Sequence, residues 1–295
     1  MKAYTIKHYE EGYEIEQERI HTIVAKTRIY PTVERAKQLQ EEYSKDKFDP
    51  EMNSYCFNSE GKMVGFITSH ILDKEDGILK ANFTFPEVLP EYEETTDILF
   101  ENAIKILRNK NVQIVQSSFG IWGGSIKWAQ KWGFEKVDEI GVLYGIEIHS
   151  VNFNEENKDV HFFNPESDLD DIVKIFASKF NLPENDVRKF TLFLHKNQQT
   201  LAYIVIREKG KIVATGAIQR NQIASSIGML NAMYDIGLKY LKSLLMKLLR
   251  IAKDQDIEKV FMFFTHLQPS DPIIKSYSEL GFTLLASNIN YEKDI

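Results

Sequence analysis

The sequence is poor in cysteine and lacks any long apolar run. Cys56 is the one cysteine among 295 residues, so neither an internal disulfide nor a cysteine-rich zinc site can form. No stretch approaches the roughly 20 apolar residues of a membrane span, and the first residues lack the apolar segment of a signal peptide. We therefore expect a soluble, cytoplasmic protein that makes no membrane contact.

Positive charge is also scarce. The 36 lysine and arginine residues are outnumbered by 43 aspartate and glutamate residues, which gives a formal net charge of −7. This balance argues against a broad electrostatic grip on nucleic acid. The seven histidines show no close pair at metal-ligand spacing, so we expect no metal. Hydrophobic residues make up 43% of the chain, as in an ordinary globular protein, and the length suggests two domains.

Two kinds of short segment occur twice in the chain, in the same order. A turn that leads into a strand contains Gly61 in its first occurrence and Gly210 in its second. A short helix that ends in Gly-Phe contains Gly133 and then Gly281. The two glycines of the first copy are 72 residues apart and those of the second are 71 apart. We therefore predict a duplicated domain, with copies at residues 1–149 and 158–295.

Hydrophobic spacing predicts the same element order in both copies: a strand, two helices, three strands, a helix, a strand, a short helix and a strand. The longer helices are predicted at 14–29, 33–43, 97–108, 168–180, 184–195 and 238–254. Thr32 is the expected cap of the second of these helices, and Ser167 or Asp168 that of the fourth. Strands are predicted at 2–8, 54–58, 62–72, 78–86, 112–117, 142–148, 160–163, 201–208, 211–220, 226–233, 258–264 and 283–291.

This order of elements resembles the GNAT-type N-acetyltransferase superfamily. The Gly-Lys hairpins and the Gly-Phe helices carry the resemblance, together with residues 88–92, Val-Leu-Pro-Glu-Tyr, which look like the junction between a strand and the following helix. The resemblance covers nearly the whole chain, twice. It implies an α+β fold of two tandem GNAT-like domains, each a mixed, mostly antiparallel sheet flanked by helices.

The resemblance also implies a chemistry, in which acetyl-CoA is the cosubstrate. In this family the pyrophosphate binds backbone N–H groups at the start of the helix after the fourth strand, where the helix dipole favours an anion. Glycines in the pattern (Gln/Arg)-x-x-Gly-x-(Gly/Ala) let the backbone approach closely. A free amine attacks the thioester, a tyrosine four residues before Gly-Phe protonates the thiolate, and a carboxylate, histidine or water takes the amine proton.

The first copy departs from this pattern. Its junction reads Glu93-Glu94-Thr95-Thr96-Asp97, with no glycine and three acidic side chains that would repel a pyrophosphate. Ala129 stands where the family has its tyrosine. We therefore predict a non-catalytic first domain. Its tryptophans, at positions 122, 128 and 132, are either an aromatic wall for a ligand or partner domain, or packing in the core.

The second copy keeps more of the pattern. Tyr277 stands four residues before Gly281, and the phosphate turn falls at residues 236–241, where Gly237 alone survives from the glycine pattern. Lys239 would compensate phosphate charge, and the backbone of residues 231–233 would polarise the thioester carbonyl. The residues expected to bind acetyl-CoA are Asn231, Ala232, Met233, Gly237, Leu238, Lys239, Tyr240, Leu241 and Ser270.

The acid and base assignments each have an ordinary alternative. Tyr277 is either the general acid or an aromatic residue that packs the short helix onto the sheet. His266 would be the general base near the cleft, or else an exposed loop histidine. Glu208 and Asp235 are further candidates for the base, or ordinary turn residues, and a water-mediated route is equally acceptable.

The sequence thus predicts acetyl transfer from acetyl-CoA to a primary amine of a small molecule or peptide, catalysed by the second copy. The degraded glycine turn supports an alternative, in which the chain is a catalytically degenerate GNAT-like binding, sensor or interaction protein. The acceptor and the oligomeric state are left open by the sequence.

Overall fold

The computed structural model describes residues 3–72, 74, 77–119, 124–153, 160–265, 267 and 271–295. The predicted site residues His266 and Ser270, and also Trp122, lie outside these ranges. The chain divides into two compact units. The first unit comprises Met1–Ile140 and Ala286–Ile295, and the second unit comprises Gly141–Leu285.

The first unit contains a mixed sheet and its covering helices. Its strands are β1 (Thr5–His8), β2 (Asn53–Phe57), β3 (Met63–Ile71), β4 (Lys80–Phe83), β5 (Glu87–Val88) and β6 (Ile114–Phe119). Its helices are α1 (Tyr13–Ala25), α2 (Ala36–Tyr43), α3 (Thr95–Asn109) and α4 (Ser125–Lys131). The sheet order is β1-β2-β3-β4-β6, β5 pairs with β3, and the last part of strand β13 (Thr283–Asp294) lies antiparallel to β6. The β4–β6 pair is parallel.

The second unit repeats this arrangement. Its strands are the last part of β7 (Glu135–Glu147), β8 (Val160–Phe162), β9 (Thr200–Glu208), β10 (Lys211–Arg220), β11 (Ile227–Asp235) and β12 (Lys259–Thr265). Its helices are α5 (Pro165–Phe180), α6 (Glu184–Lys196), α7 (Leu241–Asp254) and α8 (Pro272–Glu279). The sheet order is β8-β9-β10-β11-β12-β7, and β11 with β12 forms the parallel pair. The matching order confirms the predicted fold class, two tandem α+β domains with mostly antiparallel sheets.

The two units differ at their edges from the predicted ranges 1–149 and 158–295. Residues 141–147 pair antiparallel with β12 and belong to the second unit. Residues 289–294 pair antiparallel with β6 and belong to the first unit. Each sheet therefore completes its last position with a strand that lies outside the corresponding repeat. Repeat spacing could not show this, because spacing along the chain carries no information about strand partners.

Helices cover both faces of the sheet in the second unit. On one face, α7 buries leucines at helical spacing, among them Leu241, Leu245 and Leu248, and each contributes about 1.5–3 kcal/mol relative to exposure. On the other face, Ile172 of α5 and Leu194 of α6 are buried in a separate cluster. These layers hold β11 and β12 at the centre of the unit.

The predicted long helices are present, but several of them begin at other residues than predicted. Helix α7 begins three residues later than predicted, because Gly237 and Leu238 have left-handed φ angles of 69° and 64°. Helix α5 begins earlier, at Pro165, and the Asn164 side chain accepts the N–H of Glu166 instead of the predicted cap at position 167 or 168. Helix α2 begins at Ala36, after Arg35 rather than Thr32.

Candidate functional site

Strands β11 and β12 separate after a short parallel pairing. Three residue pairs hold them together, from Ile227 opposite Lys259 to Met229 opposite Phe261. β11 continues to Asp235 and β12 to Thr265, and no further pair joins them within the described ranges. One edge of each strand is therefore left without its neighbour, and backbone groups there are available to a ligand.

A β-bulge interrupts β11 beside this separation. Ala217 of β10 lies opposite Asn231, whereas Thr215 lies opposite Tyr234, so Gly216 faces two residues of β11. Ala232 in the bulge has a left-handed φ of 50°, a conformation that re-aims the local backbone. A Cβ on Gly216 would lie 2.5 Å from the sulfur of Met233, so a larger residue opposite the bulge would displace the Met233 side chain. The predicted residues Asn231, Ala232 and Met233 thus lie at or beside the bulge.

The turn that follows β11 is held by a carboxylate of the protein itself. Oδ2 of Asp235 accepts the backbone N–H of Tyr240 at 2.8 Å, and the N–H of Leu241 is also directed to this side chain. Burial raises the pKa of Asp235 above its usual range, although these hydrogen bonds act in the opposite direction. The carboxylate thereby occupies N–H groups at the start of α7, which the sequence assigned to pyrophosphate.

The one lysine of the predicted turn, Lys239, forms an ion pair with a second carboxylate, that of Glu208. Nζ of Lys239 lies 3.3 Å from Oε1 of Glu208 and 2.7 Å from the Tyr240 hydroxyl, which itself donates to Oε2 of Glu208 at 2.7 Å. The hydrogen bond from Tyr240, followed by Lys239, lowers the pKa of Glu208. Glu208 is therefore a poor general base, and Lys239 offsets its charge.

Tyr277 of α8 lies in the core of the second unit. Its ring makes edge-on contacts with Phe264 at 4.9 Å and Phe282 at 5.2 Å between centroids, and the residue is fully buried. Its hydroxyl has no hydrogen-bond partner among the described residues, and the same is true of Oδ1 of Asp235. Burial, followed by the charge of Asp235, raises the pKa of Tyr277 well above its usual value. The hydroxyl therefore carries its proton at neutral pH.

An apolar cavity of about 500 Å³ lies on the α5–α6 side of the separated strands. Ala232 and Met233 of the bulge line it, and Met262 of β12 faces it from across the separation. Helices α5 and α6 supply further walls, including Phe176 and Val187. This cavity could not be predicted from the sequence, because its walls come from several elements that meet only in the folded unit.

In the first unit, aromatic side chains pack around α3 and α4, the helices that correspond to α7 and α8 of the second unit. The rings of Trp132 and Phe100 are stacked, with centroids 3.9 Å apart, and the indole N–H donates to Asp97. Trp128 and Phe85 contact the same ring of Trp132. Trp128 and Trp132 therefore pack in or against the core of the first unit, which is one of the two alternatives that the sequence suggested. The turn before α3 is a 3₁₀ segment, Pro90–Tyr92, followed by Glu93 and Glu94.

The structure thus brings together some of the predicted site and not the rest. Tyr277, the bulge and the turn all belong to the second unit, and the charge of Asp235 contributes to the raised pKa of Tyr277. The sequence suggested Asp235 as a base or as an ordinary turn residue, and its hydrogen bond to the Tyr240 N–H was not predicted. Within the described ranges, no group of three or more histidine, cysteine or acidic side chains could hold a metal ion. No helix in those ranges is both long and apolar enough to cross a membrane.

Comparison with known proteins identifies the fold. No protein-family profile matches the chain, and no curated protein matches it in sequence. Among solved structures, a tandem GNAT protein from the clavulanic acid biosynthesis pathway aligns over 99% of this chain and 98% of its own, with a TM-score of 0.65 and 10% identity. A GNAT-family acetyltransferase from Colwellia psychrerythraea aligns over 98% and 99%, with a TM-score of 0.65 and 17% identity.

A third structure, N-myristoyltransferase from Saccharomyces cerevisiae with bound myristoyl-CoA, is similar at a lower level. It aligns over 98% of this chain and 78% of its own, with a TM-score of 0.53 and 10% identity. At such low sequence identity these likenesses establish the architecture. The chain therefore has the GNAT fold in a tandem arrangement.

Proposed function

We propose that the second unit binds acetyl-CoA and transfers its acetyl group to a primary amine of a small molecule or peptide. The observation that carries the proposal is the Tyr277 hydroxyl, which is fully buried and has no partner among the described residues. A buried hydroxyl without a partner is costly, and a catalytic role is one reason for a protein to retain such a group. The shared GNAT fold adds support.

The residues of the second unit fit a CoA thioester in two places. Gly237 and Leu238, both left-handed, and Lys239 would present their backbone N–H groups to the pyrophosphate at the start of α7. At the bulge, the backbone of Ala232 and Met233 would hydrogen-bond the thioester carbonyl, which stabilises the charge that develops on its oxygen. The carboxylates of Asp235 and Glu208 oppose the pyrophosphate electrostatically.

Acetyl-CoA would supply the acetyl group as a thioester, whose carbon–sulfur bond is replaced by an amide bond to the acceptor nitrogen. Tyr277 would donate its phenolic proton to the departing sulfur, since its raised pKa keeps it protonated. The acceptor must lose one proton, and water is the route we favour, because Glu208 is held in its ion pair with Lys239. The two proton transfers give neutral CoA thiol and neutral amide, and solvent returns to the Tyr277 phenolate a proton equivalent to the one that water takes from the acceptor.

A second candidate function is binding of a CoA ester without turnover. The bond between Asp235 and the Tyr240 N–H favours it, because a protein carboxylate already occupies part of the turn. The two candidates agree that the second unit holds the CoA ester. They differ in whether an amide product forms.

The proposal is tested with acetyl-CoA and a mixture of primary amines, with amide products identified by mass spectrometry. Tyr277→Phe should reduce turnover by about 100-fold, the lower range for a general acid, while acetyl-CoA still binds. The control is Tyr144→Phe, since Tyr144 also packs edge-on against Phe264 and is not assigned a role. Equal turnover in wild type and Tyr277→Phe would overturn the acid assignment. Binding with no product for any amine would favour the second candidate.

A further inference from the structure

We propose that the acyl site of the second unit is built for a medium-chain acyl group, longer than acetyl, which occupies the apolar cavity beside the bulge. The inference rests on the proposed function, because it assumes that a CoA thioester is bound at the turn and bulge. It specifies which acyl group the site favours.

The order of features along β11 directs the acyl group towards the cavity. The turn at residues 236–240 follows the strand, the bulge at Ala232 and Met233 comes before it, and Leu230 lies next to the last parallel pair at Met229. A thioester with its pyrophosphate at the turn and its carbonyl at the bulge has its acyl group on the Leu230 side. Leu230 lines the cavity, and so does Met262 across the separated strands.

The walls of the cavity suit an alkyl chain better than a charged amine. Phe176, Val187 and Phe190 of the two covering helices face it together with the residues of the bulge. Among its described lining residues, Asp186 is the one charged side chain, and that side chain is 64% exposed and 4.0 Å from Lys189. An ammonium group taken from water would need a buried carboxylate, whereas apolar walls stabilise methylenes directly. The volume of about 500 Å³ falls in the range of ordinary ligand sites.

The test is calorimetric titration of the full chain with acetyl-, butanoyl-, hexanoyl- and octanoyl-CoA, with free CoA as the reference. Each methylene that becomes buried should tighten binding by about fourfold. Octanoyl-CoA should therefore bind at least ~100-fold more tightly than acetyl-CoA. The quantity compared between variants is this ratio of the two dissociation constants.

Two variants locate the acyl chain in the cavity. Val187→Phe fills the cavity from α6 and should bring the ratio close to one. Phe190→Ala removes a side chain from the wall of the cavity and should lower the ratio severalfold. Because Phe190 is half exposed, we expect this variant to fold. The control is Lys189→Phe, which adds the same aromatic ring to the exposed side of the same helix and should leave the ratio as in wild type.

The outcomes separate this inference from the proposed function. Equal affinity for acetyl- and octanoyl-CoA in the wild type would overturn the inference and leave the proposed function standing. A ratio that survives both Val187→Phe and Phe190→Ala would place the acyl chain elsewhere and would also overturn it. If no CoA ester binds, the proposed function itself fails.

Discussion

At the scale of single residues, two buried oxygen atoms define the candidate site. The Tyr277 hydroxyl and Oδ1 of Asp235 are both buried without a hydrogen-bond partner among the described residues. Each such group costs about 1–3 kcal/mol of folding free energy. Tyr277 lies on α8 and Asp235 at the end of β11, and a ligand site is the explanation that we propose for these two atoms.

The Tyr277→Phe variant should therefore keep or raise the stability of the fold. The substitution removes the unsatisfied hydroxyl and keeps the ring that packs against Phe264 and Phe282. We expect the free energy of unfolding, measured by denaturant titration, to stay the same or to rise by up to about 1–3 kcal/mol. A loss of more than about 1 kcal/mol would mean that the hydroxyl forms a stabilising bond, contrary to this structure.

The Asp235→Asn variant should be stabilised relative to wild type in a pH-dependent manner. The pKa of Asp235 is raised in the folded protein, so ionisation of this carboxyl costs stability. That cost is absent below the unfolded pKa of about 4 and grows as the pH rises through the folded pKa. Thermal unfolding from pH 3.5 to pH 7 should show a melting temperature for the variant that increasingly exceeds that of wild type.

The same variant should also bind acetyl-CoA more tightly, because the charge that opposes the pyrophosphate is gone while an acceptor for the Tyr240 N–H remains. Glu184→Gln, a change of one exposed carboxylate at the start of α6, is the control for net charge. A difference in melting temperature between Asp235→Asn and wild type that does not change with pH would show that the pKa of Asp235 is not raised in the folded protein.

At the scale of elements, a buried carboxylate joins the start of α5 to the hairpin of β9 and β10. Asp168 accepts the N–H of Asn164 at 2.7 Å and Nη2 of Arg207 at 2.6 Å. Arg207 in turn donates to the carbonyl of Gly210 at 2.6 Å. Although burial opposes them, these hydrogen bonds lower the pKa of Asp168. The position of α5, which forms one wall of the cavity, therefore depends on this carboxylate.

Asp168→Asn should reduce the free energy of unfolding by about 1–3 kcal/mol at neutral pH. Because the folded pKa is lowered, the advantage of wild type is present above the unfolded pKa of about 4 and disappears as the pH falls through the folded pKa. The control is Asp170→Asn, whose carboxylate is exposed and paired with Arg188, and which should leave the free energy of unfolding nearly unchanged. Similar losses for the two variants, in denaturant titrations at pH 7, would contradict this account.

The helices and strands also show which features of the structure could be predicted from the sequence. Leucine spacing predicted α7, yet its start at Leu241 depends on two left-handed residues, one of which, Leu238, gives no sequence signal. The family resemblance singled out Tyr277 and the turn as candidates. It could not locate the bulge at Ala232, because a bulge is defined by the register between β11 and β10. The bonds of Asp235 to the turn followed from neither pattern nor resemblance.

At the scale of the whole molecule, the last strand of each sheet comes from outside the corresponding repeat. The repeat itself was visible in the spacing of four glycines, whereas strand partners were not. Residues 141–285 form one continuous stretch that contains the whole second unit. Residues 158–295 lack the strand that pairs with β12, including the buried side chains of Val142 and Ile146.

A fragment of residues 141–285 should therefore fold cooperatively, and a fragment of residues 158–295 should not. Loss of two buried aliphatic side chains and a strand removes several kcal/mol, comparable to the stability of a domain. Circular dichroism during thermal unfolding would show a sigmoidal transition for the first fragment alone. Equal melting temperatures for the two fragments would contradict the unit boundaries.

The central claim is that the second unit holds a CoA ester at the turn before α7, and calorimetric titration with acetyl-CoA tests it most directly. The full chain should bind, and Gly237→Glu, which places a carboxylate at the turn, should abolish binding. Gly61→Glu is the matched control, since both glycines have left-handed φ angles and open space around them, and it should bind as wild type does. Absence of binding at millimolar acetyl-CoA, or equal binding by both variants, would contradict the claim.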